Sequence, residues 1–399
     1  MIAAGLVMAD WDESLASYRV GVTARSEFYR LLFSTKGRTT PGPLGFVRDF
    51  AQNLGYISGQ LGRLEDPTST TEDHMRRILL AATLGVALIA LPVLAQTPLT
   101  KTFPLPNQTF IHDVAPAPGG LIWWTAQSDG KLGILDPKTG ANKFVTLGPE
   151  SAPHGIIQSK DGKAWIADGG QNAIVSYDPK TEKVTAYKLP EETGGYTNLN
   201  TPTEDGDGNI WFTGQNGWHG KVDVKTGKVS AWKSPKGRGS YGMTTTPDGN
   251  VWFVSFANSY LGQVDRATGN VKVIEPPVPN TGVRRVWSDS KGDLWMSEWN
   301  GGQISHYSPS TGTWERIPLP GNQRATLYAV YVDNRDVVWV SNWADNKTYA
   351  YDPKTKSFSS VPGSKANAGI RQILGINGAV YLPESGNAAI TVVNTRSQS

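Results

Sequence analysis

The sequence predicts an all-β protein, a seven-bladed β-propeller of four-stranded antiparallel blades. Three observations predict it. An aromatic phrase recurs: Trp123, Trp165, Trp211, Trp252, Trp295, Trp339 and Tyr381 follow one another at intervals of 42, 46, 41, 43, 44 and 42 residues, a period typical of propellers and solenoids. Each unit then breaks into short β-branched and aromatic runs between turn signals, and no long segment of helical period follows residue 95, which sets aside a helical solenoid. Finally, the seventh unit is one strand short, and a matching strand, LTKTFPLP, stands ahead of the first unit at Leu99–Pro106. Pairing the two ends would complete the last blade and leave the ring without an open seam.

The elements follow in chain order. Residues 1–74 carry no usable motif and are expected to be a misassigned upstream extension or disordered. Met75–Gln96 has the three parts of an export signal: basic Arg76 and Arg77, apolar Ile78–Leu91, and the small-residue site Val93-Leu94-Ala95. A signal peptide over 75–95 is expected, with the protein periplasmic or secreted. The alternative is an uncleaved anchor, because Ile78–Ala95 is 18 residues, at the lower edge of a membrane span. Membrane contact is expected only through this segment.

The propeller is expected over residues 97–394. A hairpin turn precedes most of the aromatic phrases, as in Asp161-Gly162, Asp207-Gly208, Asp248-Gly249, Lys291-Gly292 and Asn377-Gly378, glycine supplying the positive φ that such turns require. After each of the first six phrases come another strand and a turn: DPKTG at 136–140, DPKTE at 178–182, DVKTG at 223–227, DRATG at 265–269, SPSTG at 308–312 and DPKTK at 352–356. These are solvated hairpin tips. A last strand closes many units, as in VTAYKLP at 184–190.

Composition narrows the function classes. The 399 residues carry a net charge of +3, with 38 basic and 35 acidic side chains, so nothing marks a nucleic-acid surface. With no cysteine in the chain, disulfides, thiolate metal sites and cysteine nucleophiles are excluded. The protein is expected to be a monomer acting on a small molecule.

The candidate site comes from the repeat itself. The innermost strand of a blade runs antiparallel to the second, so the start of one and the end of the other lie on the same face. Eleven residues before each tryptophan stand His112, His154, Asn200, Tyr241, Arg284 and Tyr328, and ten before Tyr381 stands Arg371. Three residues after each aromatic stand Ala126, Asp168, Gly214, Ser255, Glu298, Asn342 and Glu384, followed in three units by Gln127, Trp299 and Trp343. Both rows are expected to meet at one mouth of the channel, a concave place with convergent polar groups. Of the remaining histidines, His219 is expected at the surface and His306 facing a neighbouring blade.

The phrases PHGI at 153–156 and LWMSEW at 294–299, with the recurrent xxYxLP ending, resemble the streptogramin B lyase (virginiamycin B lyase) family over all seven units, roughly residues 99–394. The resemblance implies a seven-bladed propeller that opens a cyclic depsipeptide by elimination at an ester C–O bond, with a magnesium ion and two histidines on the sixth and seventh blades. In register, those histidines fall on Tyr328 and Arg371, one accompanying glutamate on Gly369 and the other on Ser385, next to Glu384. Turned around the axis, His112 and His154 occupy the same strand position on adjacent blades one and two, with Asp168 ending the second strand of His154's blade.

Two functional expectations follow. The first is an enzyme that eliminates across a cyclic ester or lactone. His112 or His154 would act as base, since imidazole titrates near neutrality, and Asp168 would orient His154 or hold a divalent metal, Mg or Ca, with Glu298 and Glu384. A metal-dependent lactonase is a variant. The second is a non-catalytic ligand-binding propeller for an anionic or aromatic ligand. Arg284 and Arg371 would clamp an anion; Trp299, Trp343, Tyr241 and Tyr328 would stack on a ring, with Asn200 and Asn342 as polar contacts.

Overall fold

The computed structural model describes residues 99–106, 109–321 and 324–395. These form seven four-stranded antiparallel sheets, six of them built from strands consecutive in sequence. The innermost strands are Ile111–Pro116, Pro153–Gln158, Leu199–Glu204, Ser240–Thr245, Val283–Ser288, Leu327–Val332 and Leu374–Ile376. The aromatic phrases are the second strands: Ile122–Ala126, Ala164–Asp168, Ile210–Gly214, Val251–Ser255, Leu294–Glu298, Val338–Asn342 and Ala379–Glu384. The expected signal segment and residues 1–74 lie outside the described residues. Among the described residues no helix is long and apolar enough to cross a membrane.

The ring closes as the sequence requires. Leu99–Pro104 pairs antiparallel with Ala389–Asn394, from Leu99 opposite Asn394 to Pro104 opposite Ala389, and completes the seventh blade. Phe103 and Leu105 are buried there, in a core shared with residues of the first and last blades.

The repeated tryptophans hold the blades from within. Trp123, Trp165, Trp211 and Trp339 are fully buried. Three of the repeated tryptophans bond to an aspartate in the hairpin turn before their own strand: the indole N–H of Trp211 donates to Asp205 at 2.8 Å, that of Trp295 to Asp289 at 3.0 Å and that of Trp339 to Asp333 at 3.1 Å. A buried indole N–H needs such a partner. The outer turns close through their leading aspartate: in DPKTG the Gly140 N–H donates to the Asp136 carbonyl at 2.7 Å, and the Asp136 carboxylate accepts from the Lys138 N–H and the Thr139 hydroxyl. The last residue of this turn takes positive φ, 80° at Gly140 but also 55° at Glu182 and 54° at Lys356, where glycine is absent.

One irregularity recurs and positions the site. In six blades the ladder between the first and second strands slips by one residue after its first pair. Ile111 faces Ala126, whereas Val114 faces Trp124; the same slip occurs at Pro153/Ile156, Leu199/Pro202, Ser240/Met243, Val283/Val286 and Leu327/Val330. Ile370 facing Glu384, ahead of the Leu374–Tyr381 pair, gives the seventh blade the same offset. Such a bulge sets two residues against one and re-aims their side chains.

Hydroxyls on the second strand satisfy the bulged backbone. Thr125 accepts from the N–H of Asp113, Thr213 from Thr201, Ser297 from Arg285 and Ser341 from Ala329. The same four hydroxyls donate to the next blade, at the carbonyls of His154, Tyr241, Tyr328 and Ile370. Each therefore ties the bulge of its own blade to the first strand of its neighbour.

Candidate functional site

The seven residues that open the innermost strands converge at one end of the channel. The His112 and His154 rings lie 3.7 Å apart between centroids, tilted by 40°. Asn200 approaches His154, with Nδ2 at 3.4 Å from Nε2. On the other side, the Tyr241 and Tyr328 hydroxyls meet at 2.5 Å. Arg284 lies over the Tyr328 ring at 3.7 Å and donates from Nη2 to the Tyr241 hydroxyl at 3.0 Å. Arg371 sits 4.9 Å from the centre of the Trp343 ring and donates from Nε to Ser385 at 3.1 Å.

Trp299 and Trp343 reach the rim as expected. Trp343 stacks on Tyr328 at 5.1 Å, and Trp299 meets both rings edge-on, at 5.7 and 5.4 Å. Two further aromatics extend this wall: Phe110, which the repeat does not mark, lies 5.6 Å from the Arg371 guanidinium, and Phe256, which stands four residues past Trp252 as Trp299 and Trp343 stand past theirs, lies 4.6 Å from that of Arg284. Neither arginine has a carboxylate within ion-pair distance among the described residues.

A second layer lies beside the first, made by the residues after the rim row. Asp113 on blade one and Arg285 on blade five form an ion pair across the channel at 3.4 Å. Both are buried, 0% and 4% exposed. Arg285 Nη1 also donates to Thr201 on blade three at 2.7 Å. Gln372 on blade seven accepts the Val114 N–H at 2.9 Å. The bulge explains how neighbours in sequence serve the same channel, and an alternating count along the strand would send Asp113, Thr201 and Arg285 to the other face.

Asp113 orients one of the histidines, and burial sets the charge of both. Its carboxylate lies 2.7 Å from His112 Nδ1. Burial lowers the pKa of His112, outweighing the opposite pull of Asp113. A neutral His112 donates Nδ1–H to that carboxylate and keeps a lone pair on Nε2. Burial holds the pKa of His154 well below its ordinary value, and His112 and Arg285 push the same way. If Asn200 donates to Nε2, the proton of neutral His154 is on Nδ1, a buried atom with no partner.

These neutral imidazoles give a pH prediction. A histidine with a depressed pKa in the folded state contributes stability above its unfolded pKa and loses it as pH falls, because only the unfolded chain takes up the proton. Stability should therefore fall as pH drops from 7 towards 5, starting near the unfolded histidine pKa of about 6.5. Denaturant midpoints across that range should fall less steeply in His154→Gln than in the parent; an equal slope in both would contradict the assignment.

Three sequence expectations are corrected by the packing. Asp168 does not meet His154: its carboxylate accepts from the Ser151 hydroxyl, the Ala152 N–H and both nitrogens of Gln171. Glu298 pairs bidentately with Arg316 of its own blade and accepts from Ser305. Glu384 accepts from Ser364, Asn387 and Thr391. Asn342 plays the same part on blade six, accepting from the Thr326 and Ala344 N–H groups. Asp168, Asn342 and Glu384 thus supply acceptors to the loop entering their blade, whose backbone lacks strand partners, whereas Glu298 serves the outer strands. One further placement differs: His219 is buried between Trp232 and Phe253 and bonded to the Gly269 carbonyl; His306 stands opposite Trp295 in the ladder and stacks on it, on the face that Trp295 turns to Tyr351 of blade six.

The magnesium ion implied by the resemblance does not fit these residues. His112, Asp113 and His154 can bring one ligand atom each within 4.8 Å of one another. Yet a hard divalent cation calls for several oxygen ligands, and Asp113 is already paired with Arg285 while Asp168, Glu298 and Glu384 bond within their own blades. Arg285 and Arg371 add positive charge beside the pair. The same reasoning applies to calcium.

Open space at the rim lies beside Arg371. A cavity of about 260 Å³ is lined by Phe110, Trp343, Asn346, Asn367, Arg371 and Ser385, among others. Its walls include a guanidinium, the side chain of Lys347, amides, two serines and aromatic faces, and no carboxylate.

The comparisons match this geometry at the level of fold and family. The model of the virginiamycin B lyase family matches residues 90–348. The chain belongs to the virginiamycin B lyase family. Among solved structures, virginiamycin B lyase from Staphylococcus aureus is 20% identical with a TM-score of 0.67, over 74% of this chain and 99% of that one. A catalytically inactive variant of the same enzyme, crystallised with quinupristin, is 19% identical with a TM-score of 0.68, over 74% of this chain and 99% of that one. The extracellular domain of a B. thetaiotaomicron hybrid two component system is 16% identical with a TM-score of 0.59, over 74% of this chain and 40% of that one. No curated protein sequence matches. Within the virginiamycin B lyase family this chain carries tyrosine and arginine, Tyr328 and Arg371, where the resemblance would put histidines, and its own histidine pair stands on blades one and two.

Proposed function

We propose that the protein is exported and binds a small anionic molecule with a planar or aromatic body at the channel rim, over blades six and seven. The observation that carries this reading is the Arg371 guanidinium, which faces a cavity with aromatic walls and no carboxylate. A guanidinium without an acidic partner is suited to a carboxylate or phosphate, and Trp343 and Phe110 offer faces to a ring. Arg284, held over Tyr328, adds positive charge to the same rim. Export is supported by the Met75–Gln96 segment and by a structural relative that is an extracellular domain.

Calorimetric titration with 2-naphthoate and its neutral isostere 2-naphthamide tests the charge requirement. The acid should bind and the amide should bind more weakly. Arg371→Ala should weaken the acid by roughly 10–100-fold, the size of a lost charge-assisted hydrogen bond, and leave the amide unchanged. Equal binding of acid and amide, or an Arg371→Ala variant that binds the acid like the parent, would reject the reading.

One observation favours elimination as a second reading. His112 has the bonding of an oriented base, with Asp113 on Nδ1, and His154 stands against it with Nδ1 unpartnered. His112 Nε2 would take the proton from the carbon adjacent to the one that bears the ester oxygen, where a second carbonyl acidifies it. His154 or an arginine would stabilise the enolate of that second carbonyl, and the alkyl C–O bond would break with its electrons leaving on the ester's carboxylate as the alkene forms. Mass spectrometry of cyclic esters incubated with the protein separates the readings. Ring opening by elimination leaves the mass unchanged, creates an alkene and should be lost in His112→Gln. If all esters are returned intact, the elimination reading fails.

A further inference from the structure

The other ends of the innermost strands enclose a second cavity, distinct in chemistry from the rim. Its volume is about 290 Å³, and residues of all seven innermost strands line it, among them Gln158, Thr203, Glu204, Thr245, Trp287 and Tyr331. The rim residues open these strands, whereas Pro116, Gln158, Glu204 and Thr245 close theirs. The Asp113–Arg285 pair and the Arg285–Thr201 bond cross the channel at the rim side.

No lysine or arginine lines this far cavity. Trp287 and Tyr331 meet edge to face at 5.1 Å, and both are partly or largely buried, so they form a fixed aromatic corner. Opposite stand hydroxyls and an amide. Thr203 and Thr245 bond to one another at 3.1 Å, each retaining capacity for a further hydrogen bond. The Glu204 carboxylate accepts the Lys160 N–H at 2.8 Å, and burial raises its pKa. An anion would meet this carboxylate with no cation among the lining residues. A strongly apolar ligand would leave the hydroxyls, amide and carboxylate unpaired, at a cost for each.

We propose that the far mouth is a second binding site, for a neutral polyhydroxylated ring of pyranose size. The C–H face of such a ring suits the aromatic corner, and its hydroxyls suit an array of acceptors and donors of both kinds. The volume lies at the lower end of small-molecule sites, roughly 300–1,000 Å³, and so takes one ring rather than a chain. This site does not rest on the anion reading of the rim, because the two mouths share no lining residue.

Saturation-transfer NMR and calorimetry with methyl β-D-glucopyranoside, methyl β-D-galactopyranoside and myo-inositol test it. At least one of these neutral probes should bind the full-length protein. Trp287→Ala should weaken that probe by roughly tenfold or more, as loss of a stacking aromatic does, and Gln158→Leu, a smaller change in packing, should weaken it in the same direction. Arg371→Ala, at the opposite mouth, should leave it unchanged. Absence of binding by all three probes would overturn the proposal. So would a bound probe whose affinity is unaffected in a folded Gln158→Leu variant and in Trp287→Ala, or is lost in Arg371→Ala.

Discussion

Asp113→Ala is expected to destabilise the protein by about 3–5 kcal/mol, the range for breaking a buried ion pair from one side. The reason is geometric. Asp113 is the only carboxylate within ion-pair distance of Arg285 among the described residues, at 3.4 Å, and both side chains are buried. Burial opposes the charge on Arg285, and Asp113 with Tyr241 and Tyr328 more than offsets it, so the guanidinium stays charged. Removing Asp113 leaves that charge without a counter-charge, Thr201 being its remaining acceptor, and leaves the Nδ1–H of His112 without an acceptor. Replacing both partners, as in Asp113→Ala with Arg285→Met, removes the stranded charge and should recover most of the loss. Urea midpoints of the two singles and the double decide the matter. A double variant as unstable as the sum of the singles would show that the pair acts by packing and not by charge.

The second large effect is expected at the seam. Deleting residues 99–106 removes the outer strand of the seventh blade and the buried side chains of Phe103 and Leu105. Those two side chains alone are worth about 1.5–3 kcal/mol each. The deletion also leaves Ala389–Asn394 as an unpaired edge, which invites association with other copies. The variant should melt at a lower temperature and elute partly as aggregate in size-exclusion chromatography. Phe103→Ala, which keeps the strand, should be destabilised by about 3–5 kcal/mol and remain monodisperse. A deletion variant as stable and monodisperse as the parent would refute closure through this strand.

The architecture was legible because it repeats. A tryptophan every 43 or so residues, a turn before it and an aspartate-led turn after it fix four strands per unit, and the missing strand of the last unit points to the first residues of the ring. The rim row was legible for the same reason: the count back from each aromatic lands on His112, His154, Asn200, Tyr241, Arg284, Tyr328 and Arg371, and the structure brings these side chains together.

What the count missed lies one residue further along. Asp113, Thr201 and Arg285 follow the rim residues, and a strand without a bulge would turn them away from the channel. The slip that brings them in is a property of backbone pairing, and its trace in sequence is the hydroxyl at Thr125, Thr213, Ser297 and Ser341 that bonds the bulged N–H. The carboxylates at the ends of the second strands were misleading for the opposite reason. Asp168, Glu298 and Glu384 occupy a place that looks functional by position, but Asp168 and Glu384 turn to the loops entering their blades and Glu298 to Arg316 on the outer strand of its own blade. His219 shows the same limit. Its place at the start of a third strand suggests exposure, while Trp232 and Phe253, neighbours in space only, enclose it.

The most direct test of the rim as a site for an anion is a crystal structure of the protein with 2-naphthoate. The carboxylate should lie on the Arg371 guanidinium beside Ser385, with the naphthalene rings against Trp343 or Phe110. Density for the acid at the far mouth, or a ligand whose carboxylate points away from Arg371, would contradict the account.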